Sequence, residues 1–400
     1  YGAILKDNGD LKQAKLFLQK AIQMKPNIAE PYLNLGSILK KIGKLKEAEL
    51  LIQKAIELKP NLAIAYSNLG NTLRDLGKFK EAELSLRKAI NLKPDLAIAY
   101  SNLGKILKDL GKTEEAEAYA RKAIKLNPNL IDTLLFLGAI LIDLGKLKEA
   151  EISTRQALKI KPNYANAHYN LAVILKDLGK PGEAILSFRK AIEINPYYSN
   201  AYYNLSIIFK DLGQLKEAEK SIRKAIDLKP NFSEAYLNLG SILKDLFKLK
   251  EAELATRKAI KINPKFALFH LNLGGILIDL GKLKEAKLST LNAIEIDPKY
   301  SKAYYNMGLI SHGLGDLKES INYYNKAIEL NKSFSIAKSY LIESKGIICD
   351  WSDQERQSNW LKNIGIEGSA INPLSLFYYE DKPSKELKRA YKFHNEMFYQ

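Results

Sequence analysis

The sequence predicts an all-α fold, a solenoid of helical hairpins stacked along one axis. Three observations predict it. Nine prolines, Pro26, Pro60, Pro94, Pro128, Pro162, Pro196, Pro230, Pro264 and Pro298, stand 34 residues apart, a period that marks one supersecondary unit copied along the chain. Each period holds two apolar stripes at the spacing of an amphipathic helix. Small residues recur at fixed places in both halves, as close approach of helices along a seam requires.

The unit from Ala29 to Pro60 shows what each element does. Tyr32, Leu35, Leu39 and Ile42 form the apolar stripe of a first helix. Gly43 ends that helix, because glycine takes the left-handed cap conformation without penalty. Ala48, Ile52, Ala55 and Ile56 form the stripe of a second helix, with Glu47 and Glu49 in its first turn, where negative charge complements the helix dipole. Pro60 stops it, lacking an amide donor and biasing the preceding residue away from helix. Gly36, Gly70, Gly104, Gly138, Gly240, Gly274 and Gly308 share one place in the first helix, with Ala172 and Ser206 in the same register. The Ala48 series runs through Ala286 and the Ala55 series through Ala327. Enlarging such a residue overpacks the seam at roughly 1–3 kcal/mol. Tyr32, Tyr66, Tyr100, Tyr202, Tyr236 and Tyr304 supply the large knob between helices. With Leu-Gly, Tyr, Ala, Ala and Pro at these spacings, residues 1–334 resemble the tetratricopeptide repeat. The resemblance implies a right-handed superhelix whose first helices line a concave groove. Neighbour contacts alone hold such a solenoid, so its stability is roughly a sum over repeats.

The expected array covers 1–334: a truncated first repeat, opening at Tyr1 inside a helix, and nine full repeats. The chain is read as a fragment at its N-terminus. Copying ends near Phe334. Lys332 stands where the next proline is due, Ser335 to Gly346 reads as one more helix, and 335–400 reads as a capping helix and junction. Both tryptophans lie there. Trp351 and Trp360, with Phe377, Tyr378 and Tyr379, predict an aromatic cluster that caps the last repeat or docks another domain.

A single cysteine, Cys349, excludes a disulfide framework and points to a reducing, cytoplasmic compartment. No apolar run is long enough to span a bilayer; the most apolar stretch, Thr133 to Ile142, is the first helix of a repeat. The formal net charge of +17 raises nucleic acid or an anionic membrane as partners. The excess is mostly lysine, and six arginines from Arg87 to Arg257 share one place on the outer, convex side of the second helix. Nucleic-acid sites favour arginine forks interleaved with free aromatic platforms, and here the repeated tyrosines serve packing. A solvated lysine-rich surface is the preferred reading, and an RNA-binding solenoid the remote one.

Asparagine precedes the Leu-Gly step of the first helix at Asn34, Asn68, Asn102, Asn170, Asn204, Asn238, Asn272 and Asn306. Its amide competes with the backbone and makes it a mediocre helix former. Neighbouring Tyr and Leu take the packing face, which turns these amides toward the concave side. An amide both donates and accepts, so it can pair with a peptide backbone of any sequence. Repeats about 10 Å apart, against an extended strand rising about 3.3 Å per residue, give one asparagine per three ligand residues. The favoured expectation is a peptide-binding ladder, interrupted at Phe136; the alternative is an inter-repeat hydrogen bond without a ligand. A second series, Asp75 through Asp279, follows Lys40, Arg74, Lys108, Lys176, Lys210 and Lys244 by one residue in the repeat. It reads as a charge lattice between neighbouring repeats, in preference to a groove site for basic ligands.

No constellation for catalysis or metal binding is present. His168 and His270 replace the packing tyrosine, His312 and His394 stand alone, and Gly179-Lys180-Pro181-Gly182 is an inter-helix turn. The residues Cys349-Asp350-Trp351-Ser352-Asp353, directly after the array, resemble the junction of the O-linked N-acetylglucosamine transferase (SPINDLY-like) family. That resemblance implies an array presenting acceptor polypeptide to a two-lobed glycosyltransferase that moves a sugar from a nucleotide sugar to protein Ser or Thr. The catalytic lobes would follow Gln400, so no cofactor is expected in this chain and no catalytic residue is named. It also implies the asparagine ladder at the eight positions above. An acidic series in that family is matched here only by Glu30, Asp132 and Glu234, with Ile64, Ile98 and Lys302 elsewhere. The expected partners are extended peptides in the groove and the catalytic domain of the same parent chain, with no metal, membrane or nucleic acid. The alternative is a stand-alone adaptor without chemistry.

Overall fold

A computed structural model describes residues 11–350 and 388–394. Among the described residues every regular element is helical. The chain divides into two compact units, Tyr1–Tyr197 and Tyr198–Gln400. In the first, first helices Ala29–Lys41, Ala63–Asp75, Ala97–Asp109, Ile131–Asp143 and Ala165–Asp177 alternate with second helices. Those second helices are Leu11–Met24, Leu45–Leu58, Phe79–Leu92, Thr113–Leu126, Leu147–Ile160 and Pro181–Ile194. The second unit repeats the pattern with first helices Ser199–Asp211, Ser233–Asp245, Ala267–Asp279, Ser301–Gly313 and Ser335–Ile347, and second helices Leu215–Leu228, Leu249–Ile262, Leu283–Ile296 and Leu317–Leu330. Within each unit, first helices from Ala29–Lys41 to Ser301–Gly313 pack along the second helix of their own hairpin, and successive hairpins pack first helix against preceding second helix. Successive first helices also touch one another within each unit, so they form its inner face.

The turns follow the predicted chemistry. Gly43 adopts φ 82°, its amide donates to the Lys40 carbonyl and that of Lys44 to the Leu39 carbonyl, which satisfies two helix-end acceptors. The same turn recurs in each hairpin, with one exception. Phe247 holds φ 59° where the other repeats have glycine, and its side chain is 89% exposed. Ile42, counted in the helical stripe from sequence, lies just past the helix end and is 47% exposed; Leu33 and Ile38 bury instead. The last first helix ends as the glycine turns do: Cys349 takes φ 56° and donates to Gly346, and Asp350 donates to Lys345.

The small-residue seams are filled. A Cβ added to Gly36 would lie 2.7 Å from Ile52, at Gly70 2.6 Å from Leu86, and at Gly308 2.2 Å from the Tyr324 ring. The tyrosine register does more than fill space. Tyr304 donates its hydroxyl to the Pro298 carbonyl (3.2 Å), and His168 and His270 donate Nε2–H to the carbonyls of Pro162 and Pro264 (2.8 Å each). These histidines therefore keep the tyrosine's place and its bond. Among the described residues, the end of the array is closed by Tyr305, Tyr324, Phe334 and Tyr340, with ring centroids 5.3–6.1 Å apart. Burial pushes the hydroxyl pKa values of Tyr305 and Tyr324 well above the ordinary tyrosine value. The aromatic cluster expected around Trp351 and Trp360, with Phe377 to Tyr379, lies outside the described residues.

Candidate functional site on the inner face

The inner face is built from side chains one turn apart on successive first helices. In the second unit they enclose a cavity of about 430 Å³. Three first helices contribute: Ser241 and Lys244, then Asn272 and Gly275, then Lys302 and Asn306, with Phe334 from the following turn. The helical register puts these polar groups together because positions three and four apart share a face. Gly275 leaves the floor open; a Cβ there would meet only Lys244 Nζ at 3.8 Å and Asn306 Nδ2 at 4.0 Å.

The predicted asparagines share this face without sharing one environment. Asn272 and Asn306 line the cavity. Asn68 donates Nδ2–H to Ser37 Oγ at 3.2 Å and Asn102 to Ser67 Oγ at 3.4 Å, both across repeats. Asn204 donates to the Asn200 carbonyl at 3.0 Å, one turn back. Asn34, Asn170 and Asn238 are half-buried and Asn102 is buried. Phe136, in the asparagine register, turns its ring toward Gly104 of the preceding repeat. The partner serines are not legible in the sequence because their registers vary from repeat to repeat: Ser37 corresponds to Lys105, Ala139 and Ile207, and Ser67 to Leu33, Leu135 and Tyr169.

Charge on the inner face is ordered by the expected lattice. Lys40 pairs with Asp75 (2.9 Å), Arg74 with Asp109 (2.5 Å), Lys108 with Asp143 (2.8 Å), Lys210 with Asp245 (3.3 Å) and Lys244 with Asp279 (2.8 Å). Each cation thus holds the carboxylate of the next repeat. Lys176 meets its own neighbour Asp177 at 3.5 Å. Lys210 also donates to Ser241 Oγ at 2.6 Å. Burial pulls the Lys105 ammonium below the ordinary lysine pKa; Arg74 and Lys40 act in the same direction and Asp132 against it.

The outer face carries a second lattice. Arg121 grips Glu117 of its own helix and Glu149 of the next second helix, while Lys146 reaches back to Glu117 at 2.8 Å. Arg155, Arg223 and Arg257 repeat the arrangement with Glu151 and Glu183, Glu219 and Glu251, and Glu253 and Glu285. These guanidinium groups are already committed to carboxylates. Among the described residues no group of three His, Cys, Asp or Glu side chains is placed to hold a metal. No helix among them is long and apolar enough to cross a membrane. Trp351 and Trp360 lie outside the described residues.

Family models assign the repeats. A model described as TPR repeat matches residues 70–111 and 138–179. Models described as tetratricopeptide repeat match 5–71, 97–130, 165–198, 199–232, 233–266, 267–300 and 301–334. The chain is a tetratricopeptide repeat protein. Similar solved structures include that of MamA, with 28% identity over 41% of this chain and 95% of that one at a TM-score of 0.39. Another is YrrB, titled a TPR protein with an unusual peptide-binding site, with 29% identity, 46% and 95% coverage and a TM-score of 0.37. Yeast Tom70 aligns over 98% of this chain and 93% of its own, with 17% identity and a TM-score of 0.45. No curated protein matches the tetratricopeptide repeat chain.

Proposed function

We propose that this tetratricopeptide repeat protein holds an extended polypeptide along the inner faces of its units, as the acceptor-recognition array of an O-GlcNAc-transferase-like protein glycosyltransferase. The observation that carries the binding reading is the second-unit cavity, where Asn272 and Asn306 converge with Ser241 and Lys244. These groups match the donor and acceptor pattern of a peptide backbone, whatever its side chains. The outer arginines, bound to carboxylates of their own lattice, favour protein over nucleic acid as ligand. The glycosyltransferase parentage rests on the Cys349-Asp350-Trp351-Ser352-Asp353 sequence directly after the array.

Each half of the proposal has its own test. Asn238→Ala, Asn272→Ala and Asn306→Ala combined should weaken binding of an extended Ser/Thr-rich peptide by about a hundredfold, as loss of three backbone hydrogen bonds worth about 1 kcal/mol each implies. Thermal unfolding should stay within a degree or two of the parent. Undiminished peptide affinity refutes the ladder. For the parentage, the parent reading frame beyond Gln400 should encode alternating strands and helices. Its product should transfer labelled sugar from a nucleotide sugar to peptide hydroxyls; a stop codon soon after Gln400 leaves the adaptor reading in its place.

A further inference from the structure

On the outer face, two notches open at equivalent places, one in each unit. The first, about 420 Å³, is floored by Ile124, Leu134, Leu137 and Leu141 with Ile152 on its rim. The second, about 380 Å³, has Ile260, His270, Leu273 and Leu277 with Leu288 on its rim. Both volumes fall within the range of small ligand pockets, roughly 300–1,000 Å³. The reason they open is local. Leu134 and His270 stand in the tyrosine register, and the facing second helices carry Ser153-Thr154 and Ser289-Thr290 in place of bulkier pairs such as Leu51-Ile52. Ser153 and Ser289 fold back to donate to the Leu134 and His270 carbonyls at 2.8 and 2.9 Å. The rim residues Ile152 and Leu288 are each 67% exposed.

A second feature tracks the missing ring. Nine residues before each tyrosine of the register stands an acid or an amide: Gln23, Glu57, Asn91, Glu193, Asp227 and Glu295. Nine residues before Leu134, His168 and His270 stands a lysine: Lys125, Lys159 and Lys261. In two of these registers the acid neutralises a lysine one turn back: Glu57 holds Lys54 (2.8 Å) and Glu193 holds Lys190 (2.7 Å). At the notches Lys125 and Lys261, which line the rims, sit beside exposed Lys122 and Lys258 instead, while the other charges lining them, Arg121 with Glu149 and Arg257 with Glu285, pair with each other. At Leu134 and His270, apolar volume and a lysine pair therefore appear together.

We propose that each outer notch docks a segment of a partner protein carrying one bulky apolar side chain close to an Asp or Glu. The apolar side chain fills the volume left by the tyrosine ring, and the carboxylate meets the lysine pair. This surface is separate from the inner face and stands whatever the groove binds.

The test fills the notch with the chain's own residue. Leu134→Tyr and His270→Tyr install the ring that six repeats already carry, with the carbonyls of Pro128 and Pro264 available to its hydroxyl. The probe is a fluorescein-labelled Gly/Ser peptide with one tryptophan between two pairs of glutamates, titrated at low salt. Saturable binding should weaken by about tenfold or more in the double variant, as for a lost anchor side chain, with the unfolding midpoint kept or raised. Ile152→Asp with Leu288→Asp, on exposed rims, gives a second reading independent of the fill. A matched peptide with lysines for glutamates should not bind. Equal binding by parent and both variants overturns the proposal. So does loss of binding on Asn272→Ala with Asn306→Ala alone, which would put the probe in the groove. Notch variants that abolish self-association in sedimentation, without any peptide binding, overturn it in favour of a second copy. Uptake by anionic vesicles with no peptide binding overturns it in favour of a lipid surface.

Discussion

Gly308 lies against the Tyr324 ring, whose nearest carbon is 2.2 Å from where a Cβ would be placed. Tyr324 is fully buried and has no room to retreat. Gly308→Ala should therefore lower stability by roughly 1–3 kcal/mol in urea unfolding. Gly182, with nothing within 4 Å of its Cβ position and a place in a helix, should gain about 0.5–1 kcal/mol as alanine. A glycine effect common to both would contradict the steric account. Phe247 is the converse case. An exposed β-carbon residue held at φ 59° bears a left-handed strain of about 1–2 kcal/mol, so Phe247→Gly should raise the unfolding midpoint. Tyr324 also buries a hydroxyl with no hydrogen-bond partner. Tyr324→Phe removes that uncompensated desolvation and should leave stability unchanged or improved; a clear loss would reveal a partner for the hydroxyl.

At the scale of helices, the outer lattice makes stability depend on pH in one direction. Hydrogen bonding from Lys146 holds the Glu117 carboxyl below the ordinary glutamate value, with burial opposing and Arg121 assisting; Lys282 and Arg257 do the same for Glu253. A folded pKa lower than the unfolded one means the stabilisation is complete above the unfolded glutamate value. It is lost as pH falls through the lower, folded value. Melting temperature should drop in that acidic window, and Glu117→Gln with Glu253→Gln should flatten the drop by a few tenths to about 1 kcal/mol per site, because the exposed Arg and Lys partners keep each pair screened by solvent. A pH profile unchanged by the double substitution would assign the loss elsewhere. Helix limits and seams were legible because Pro60, Gly43, Gly36 and Ala48 act through backbone geometry and size, which a periodic sequence displays directly. The Lys-Asp lattice was legible for the same reason: both partners repeat. The strain at Phe247, the serine partners of Asn68 and Asn102, and the outer notches were not, because each depends on a residue that departs from the period.

For the whole molecule, each hairpin meets only its neighbours within a unit, so a local defect should stay local. Gly308→Ala should speed amide hydrogen exchange in 301–347 and leave 97–126 at parental rates; uniform acceleration along the chain would show a global unfolding unit instead. The regularity of the seams has a consequence for how such a gene changes. Lys210 holds Asp245, and Arg223 holds Glu251. Were the codons for 233–266 lost by unequal crossing-over between tandem copies, Lys210 would face Asp279 and Arg223 would face Glu285, like for like. The message stays in frame, the joint keeps its charges, and the protein is one rung shorter. Array length is thus a trait that recombination adjusts in single steps, without waiting for compensating point mutations.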